Sequence, residues 1–242
     1  MEVLLIDRLR GILYIVIVIS ALCISSSISV ASAASKNSVD IFTPDSKPYG
    51  LTFQEHVKNF WKWAISLPKD KSPWNDPTGA NCAIGQLANS SVFYLGSNGG
   101  GTSYRTCKVP AGKGLFMPVS PMEVSDKESP NSSIDQLTQI AKQDQDNINS
   151  LNLKIGDKVY NYQDLLKYRT HTERIDVVFP DNGIFGVIHG GPSKAVADGF
   201  YVITKPLPKG TYTIQYESAI CKGIGCLETN FAQNVIYTVI VE

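Results

Sequence analysis

Histidine and charge are both scarce in this chain. It has three histidines among 242 residues, 18% charged residues, and no net charge at neutral pH. Without a basic excess there is no electrostatic handle for phosphate backbones, so nucleic acid is not an expected partner. Few histidines, with cysteines spaced C-x24-C and C-x4-C, argue against a zinc site. No histidine or methionine follows Cys221, which removes a blue-copper ligand set. The EF-hand pattern is missing, and Asp144 and Asp146 on a helix would not converge on calcium as a loop does. No metal or cofactor is expected.

Motifs for nucleophilic or phosphate chemistry are incomplete. His189-Gly-Gly-Pro192 has the look of a lipase oxyanion loop, but no G-x-S-x-G elbow accompanies it. Pro110-Ala-Gly-Lys-Gly114 lacks the full phosphate-loop pattern. Long apolar runs are also missing. The run from Gly11 to Ile24 is about 14 residues, against roughly 20 for a membrane span.

That run is nonetheless informative. Arg8 and Arg10 precede it, and Ala31-Ser-Ala33 follows a small, polar stretch. This is the layout of a signal peptide over residues 1–34, cut after Ala33 or Ala34. An uncleaved membrane anchor is the alternative, if Ser25 to Val30 extend the span with the arginines held inside. A lipoprotein site at Cys23 fits poorly, because Leu22 stands where a small residue is needed. Residues 35–242 then form a single extracytoplasmic domain, secreted or held at the outer face of the membrane.

Four cysteines follow the leader: Cys82, Cys107, Cys221 and Cys226. In an oxidising compartment an even count reads as disulfides. Three pairings are open, and the sequence-local one, Cys82 with Cys107 and Cys221 with Cys226, is expected. Asn89-Ser-Ser and Asn131-Ser-Ser are glycan acceptor sequons, though a chain rich in Asn and Ser produces them by chance.

Periodicity supplies the fold class. Thr52-Phe-Gln-Glu55 and Ser133-Ile-Asp-Gln136 are capping boxes. Each opens an apolar stripe at helical spacing, the first stopped by Pro68 and the second running to about Ile148. From Asn81 to Val119 short apolar runs alternate with Gly and Pro turns, which predicts a β-meander closed by Cys82–Cys107. From Leu151 onward strands dominate, with a Gly156-Asp157 hairpin turn and a further strand over Ile184 to Ile188. Tyr212, Ile214 and Tyr216 alternate with polar neighbours, as in a half-buried antiparallel strand. The predicted fold is mainly β (α+β): an antiparallel β-sandwich-like core, two flanking helices and disulfide-stapled loops. Residues 151–242 would form an immunoglobulin-like part.

Several motifs resemble a group of uncharacterised exported proteins of microbes. They are Trp61-x-Trp63, Thr78-Gly-x-x-Cys82, Gly85-Gln86 and Gly99-Gly100. The central part is Arg105-x-Cys107-x-Val109-Pro110-x-Gly112-Lys113-x-Leu115-Phe116-x-Pro118. Ala197-Asp-Gly-Phe-Tyr201 and Leu207-Pro208-x-Gly210-x-Tyr212-x-Ile214 complete the pattern. The resemblance spans most of the chain after the leader and implies export. It carries no known activity, so it assigns no catalytic residues.

Two functional readings follow. The leading one is a non-catalytic protein of the cell envelope, structural or binding, with a glycan or a protein as partner. Trp74, Asp76 and Arg105 are its candidate ligand-binding residues, beside the glycine-rich stretch. Trp63 with Trp74 would make a sugar platform if exposed, but large aromatics usually pack inward. The alternative is a secreted glycan hydrolase using two carboxylates drawn from Glu55, Asp76, Glu123, Asp126, Glu173 and Asp198. His171 and Glu173, two apart on one strand, read as a surface ion pair. Arg105 reads first as a clamp onto carbonyls or onto Asp76 or Asp198.

Overall fold

A computed structural model describes residues 39–222 and 228–242. The leader, Cys23 and Cys226 lie outside those residues. Among the described residues no helix is long and apolar enough to cross a membrane. Residues Asn37–Glu242 form one compact unit.

Among the described residues, ten strands make two five-stranded sheets. The first contains β1 (Val92–Tyr94), β3 (Gly114–Ser125), β6 (Arg169–His171), β7 (Ile175–Phe179) and β8 (Gly191–Ile203). Its order is β1-β3-β8-β6, with β7 continuing the β6 edge on β8. The second runs β2 (Gly101–Val109), β10 (Glu228–Val241), β9 (Gly210–Lys222), β4 (Ile148–Ile155), β5 (Lys158–Tyr160). The expected sandwich-like α+β class is the one observed.

The helices follow their capping boxes. Helix α1 (Phe53–Ile65) opens where the Thr52 hydroxyl accepts from the Glu55 amide and the Glu55 carboxylate accepts from the Thr52 amide. Helix α2 (Ile134–Asp146) starts the same way at Ser133 and Gln136. A third, short helix, α3 (Tyr162–Leu166), uses Asn161 and Asp164. Helix α1 covers one face of the first sheet, where Phe60 stacks on Phe116 at 5.0 Å and meets Tyr94 and Tyr201. The opposite face carries α2, whose Leu137 and Ala141 pack on Val124 and Val196. The second sheet meets the first through inward rows such as Ile214, Tyr216, Val235, Tyr237, Leu153 and Ile155, all buried. Between them on the same strands, Tyr104, Thr106, Thr213 and Thr238 face solvent, the period-two alternation of an open outer face.

The meander expected over Asn81–Val119 does not form. Strand β1 pairs in parallel with β3 in one sheet, and β2 pairs in parallel with β10 in the other. The chain changes sheet at Gly96–Gly100 and again at Pro110–Gly112. Alternation fixes which face of a strand is buried but not which sheet it joins, so two successive turns look like hairpins when they are corners. The disulfide does form: Cys82 and Cys107 are bonded with Cα atoms 5.9 Å apart. It ties the loop before β1 to β2. Cys221 is also disulfide-bonded.

Two other differences have local causes. Strand β3 continues past Pro118 and Pro121 to Ser125. Strand β1 covers only Gly114 to Phe116, so beyond that point one β3 edge needs no amide donor, and a register shift at Val119 absorbs the first proline. Residues 184–188 are no strand. Ile184–Gly186 is a 3-10 turn with Phe185 in the left-handed region at φ 59°.

Gln86 explains the Gly-Gln motif. Its amide Nε2 donates to the Tyr94 carbonyl at 2.7 Å, and its Oε1 accepts from the Tyr94 amide at 3.0 Å. A third bond runs from Nε2 to the Cys82 carbonyl. One side chain thus stands in for a neighbouring strand on the β1 edge. Gln86→Ala strands a buried amide and carbonyl, and should cost about 2 kcal/mol in denaturant-measured stability. A loss under about 0.5 kcal/mol would mean the edge is satisfied another way.

Candidate binding site

Three loops converge on Trp74. The first is the segment after α1. Its 3-10 turn Pro73–Asn75 is capped by the Ser72 hydroxyl, which accepts from the Trp74 amide. The second is the sheet-changing glycine stretch. A Cβ on Gly96 would lie 2.7 Å from Pro73, and one on Gly99 would lie 3.6 Å from Trp74 Nε1. The third is the loop over residues 180–190, bound to the first by the Lys69 amide on the Asn182 carbonyl at 2.9 Å. Its Phe185 ring meets Trp74 edge-on at 5.2 Å, and Trp61 of α1 underlies both, 5.8 Å from Trp74 and 6.2 Å from Phe185. Trp74 and Phe185 are each half-buried. Trp74 Nε1 has no hydrogen-bond partner among the described residues, whereas Trp61 Nε1 donates to Tyr201 and Trp63 Nε1 to the Ile84 carbonyl. A bulky residue at positive φ is costly, and its presence here marks a loop whose surroundings dictate its shape.

The other candidates near this corner are engaged by the chain itself. Asp76 accepts from the amide and hydroxyl of Thr78 and from the Asn81 amide, at 2.7 to 2.8 Å. Burial pushes its carboxyl up, but these donors outweigh burial and hold it below the ordinary carboxylate range. The loop it shapes presses onto β2: the Thr106 amide donates to the Thr78 carbonyl, and a Cβ on Gly79 would lie 2.5 Å from the Thr106 carbonyl. That contact requires the glycine of the Thr-Gly-x-x-Cys motif. Arg105, 3% exposed, donates through Nη1 to the Gly96 carbonyl (2.8 Å), the Ser97 carbonyl (3.1 Å) and the Tyr237 hydroxyl (2.9 Å). It clamps carbonyls, not a carboxylate; Asp198 is held instead by Arg169, through Nε and Nη2 at 2.9 Å each. Trp63 is buried, so it forms no exposed platform with Trp74.

Of the carboxylates considered from sequence, only Glu123 meets another acid. Glu55 caps α1, Asp126 accepts from the Ser193 hydroxyl and Lys194 amide, and Glu173 is exposed, as is His171, with no ion pair between the two. Glu123, 4% exposed, faces the α1 side of β3. Neither of its carboxyl oxygens has a hydrogen-bond partner among the described residues. Glu128 is exposed, and its carboxylate accepts from the Ser125 hydroxyl (2.6 Å) and amide (3.1 Å). Burial first, then the Glu128 charge, pushes the Glu123 carboxyl well above the ordinary range; burial also raises Glu128. Burial pushes up the pKa of the Tyr201 hydroxyl, which accepts from Trp61. A Cβ on Gly199 would lie 3.0 Å from that hydroxyl and 2.5 Å from the Ser120 carbonyl, which accounts for the glycine in Ala-Asp-Gly-Phe-Tyr.

The remaining sequence features are structural in form. Lys113 donates to the Ala88 carbonyl at 2.9 Å, and Lys127 to the carbonyls of His189 and Gly190. A Cβ on Gly190 would lie 2.3 Å from the Phe179 carbonyl. The Tyr212 hydroxyl donates to the Pro208 carbonyl at 2.9 Å, closing the Leu-Pro-x-Gly-x-Tyr element. Asn131 is exposed at φ 66°, and Asn89 is exposed on the rim of a shallow depression of about 450 Å³ that also touches His56 and Tyr94. Among the described residues no cluster of three or more His, Cys, Asp or Glu could hold a metal ion.

No protein-family model matches the chain, and no curated protein matches it. The chain is similar to one solved structure, that of PbICP-C in complex with falcipain-2, at 14% identity and a TM-score of 0.25. The match covers 63% of this chain and 100% of that one. So slight a likeness assigns this chain neither a fold nor a partner.

Proposed function

We propose that the protein is exported and acts without catalysis outside the cytoplasmic membrane, binding a neutral glycan of the cell envelope at the Trp74 corner. One observation carries the reading. Three loops meet at a half-exposed indole whose N–H has no partner among the described residues, beside a half-exposed phenyl ring. The nearby charges of Asp76 and Arg105 are already spent on the chain. An aromatic face with neutral hydrogen-bonding groups suits the C–H face and hydroxyls of a sugar ring better than an ionic ligand. Export is supported by the pattern of the first 34 residues and by the Cys82–Cys107 disulfide, which belongs to an oxidising compartment. In this reading Asp76 and Arg105 position the loops, and Trp74 and Phe185 touch the sugar.

The hydrolase alternative has less support, because Glu55, Asp76, Asp126 and Asp198 are each engaged by the chain itself. Glu123 is buried, so a glycosidic oxygen does not reach it unless its surroundings open.

The test is binding of the exported protein to insoluble cell-wall polysaccharide and to soluble N-acetylglucosamine oligomers, followed by tryptophan fluorescence. A hot-spot tryptophan contributes about 2 kcal/mol or more, so Trp74→Ala should weaken binding by roughly thirtyfold. Tyr104→Ala, on the outer face of the second sheet, should leave it unchanged. Equal binding by wild type and Trp74→Ala would sink the proposal.

A further inference from the structure

We propose that Asn89 is an N-glycosylation site whose first sugar is neutral and lies in the depression beside it, between helix α1 and the turn before β1. The proposal rests on export but not on what the Trp74 corner binds.

The turn is built to present this side chain. Asn89-Ser-Ser91 is an acceptor sequon, and both Asn89 and Ser91 are exposed. Neither side chain has a hydrogen-bond partner among the described residues. The backbone around them is held instead. The Ser90 amide donates to the Leu87 carbonyl at 3.1 Å, and the Gly114 amide to the Ser91 carbonyl at 2.9 Å. Lys113 Nζ donates to the carbonyls of Ala88 and Ser90, one on each side of Asn89. A fixed turn with a free amide and a free hydroxyl is what a transferase needs of a folded acceptor. At the other sequon, Asn131-Ser-Ser133, the last hydroxyl is committed: it accepts from the Gln136 amide as the cap of α2.

The depression of about 450 Å³ supplies the seat and falls in the size range of small-molecule sites. Leu51 and Leu87 give it apolar walls, and Leu87 is 58% exposed, so the C–H face of a sugar ring would cover it. Three polar side chains line it with groups that the chain leaves free. His56 Nε2 donates to the Pro48 carbonyl at 2.8 Å, which leaves Nδ1 as an acceptor. The Asn59 amide and the Tyr94 hydroxyl have no partner among the described residues. His56 and Tyr94 are each 2% exposed, so these are not ordinary surface groups. Among the described residues no Lys, Arg, Asp or Glu lines the depression, and burial keeps the imidazole neutral. Neutral donors and acceptors beside leucine suit a hexose or an N-acetylhexosamine, and leave a uronic acid without a countercharge.

The chemistry is one transfer. The donor is a saccharide joined through its anomeric carbon to a lipid phosphate, outside the cytoplasmic membrane. A bond forms between Asn89 Nδ2 and that carbon, and the carbon–oxygen bond to phosphate breaks. The phosphate leaves with the electron pair, and Nδ2 gives up one of its two protons to solvent. Nothing is oxidised or reduced.

Mass spectrometry of the protein as its own cells export it tests attachment. After reduction, trypsin releases Ser72–Arg105, in which Asn89 stands in the single sequon. That peptide should carry hexose or N-acetylhexosamine units in wild type. It should carry none in Asn89→Gln, nor in Ser91→Ala, which keeps the asparagine. An unmodified wild-type peptide overturns the site and leaves sugar binding by Trp74 untouched. A uronic acid as first sugar overturns the neutral seat. Amide hydrogen exchange tests the seating. Residues 87–91 should exchange roughly tenfold more slowly in glycosylated wild type than in Ser91→Ala. Asn59→Trp fills the depression and should keep the glycan, and in that background the Ser91→Ala change should make no difference to exchange. Equal exchange with and without the glycan in wild type, or a difference that persists in Asn59→Trp, overturns the seating.

Discussion

Arg105→Ala is expected to destabilise the protein by about 3 kcal/mol, lowering the midpoint of thermal unfolding by roughly 10 °C for a domain of this size. Two opposing effects decide the figure. Removing a buried cation that has no carboxylate partner among the described residues relieves a desolvation penalty, and by itself this would stabilise. Against it stand the three oxygens that Arg105 serves. The Gly96 carbonyl would keep the hydroxyls of Tyr216 and Tyr237. The Ser97 carbonyl would lose its donor inside the protein, since Ser97 is wholly buried. The stem of Arg105 also fills space beside Tyr237, whose ring lies 5.5 Å beneath the guanidinium carbon, so alanine leaves a cavity. An unpaired carbonyl and a cavity together outweigh the relief. Arg105→Lys keeps the charge but not the fork, and should recover only part of the loss. Because Gly96 to Gly101 would be released, proteolytic nicking at those glycines should accompany the loss of stability. An Arg105→Ala protein within about 1 kcal/mol of wild type would show that the sheet-changing corner is held by packing alone.

The sequence exposes this fold unevenly, for physical reasons. Helices α1 and α2 were legible because capping boxes are local: Thr52 with Glu55 and Ser133 with Gln136 satisfy amides within one turn. The β4–β5 hairpin was legible because a two-residue Gly156-Asp157 turn leaves the strands nowhere else to go. Sheet membership was not legible. Gly96–Gly100 and Pro110–Gly112 look like hairpin turns, but Arg105 draws the first onto the second sheet together with Tyr216 and Tyr237, which lie more than 100 residues further along the chain. The corner around Trp74 was legible in part. Trp74, Asp76 and Arg105 stood out by residue type, yet whether each faces solvent or the chain depends on distant contacts. Phe185 gave no signal, because nothing in Gly183-Ile-Phe-Gly186 predicts a phenylalanine at positive φ. The burial of Glu123 gave no signal either, because which face of the sheet a strand residue takes depends on distant pairing.

That buried acid predicts the second large effect, a pH dependence of stability. The folded-state pKa of Glu123 is raised above its unfolded value, so the proton stabilises the fold in acid. The contribution is complete below the ordinary carboxylate range and is lost as pH rises through the folded value. Between those limits the loss is about 1.4 kcal/mol per pH unit, the free energy of one proton. Other groups work in the opposite direction. Glu55, Asp76 and Asp146 are held below their usual range by the donors around them, and burial keeps His56 neutral, so their contributions fade in acid. The wild-type curve therefore mixes both signs, and the difference from Glu123→Gln isolates one. Glutamine is nearly isosteric and stays uncharged at every pH. The two proteins should be similar in stability near pH 5, and Glu123→Gln should gain by about 1.4 kcal/mol per unit above it, roughly 3 to 5 °C in midpoint, until Glu123 ionises in the folded state. A difference that stays flat between about pH 5 and pH 8 would mean that Glu123 is already ionised or never buried without water.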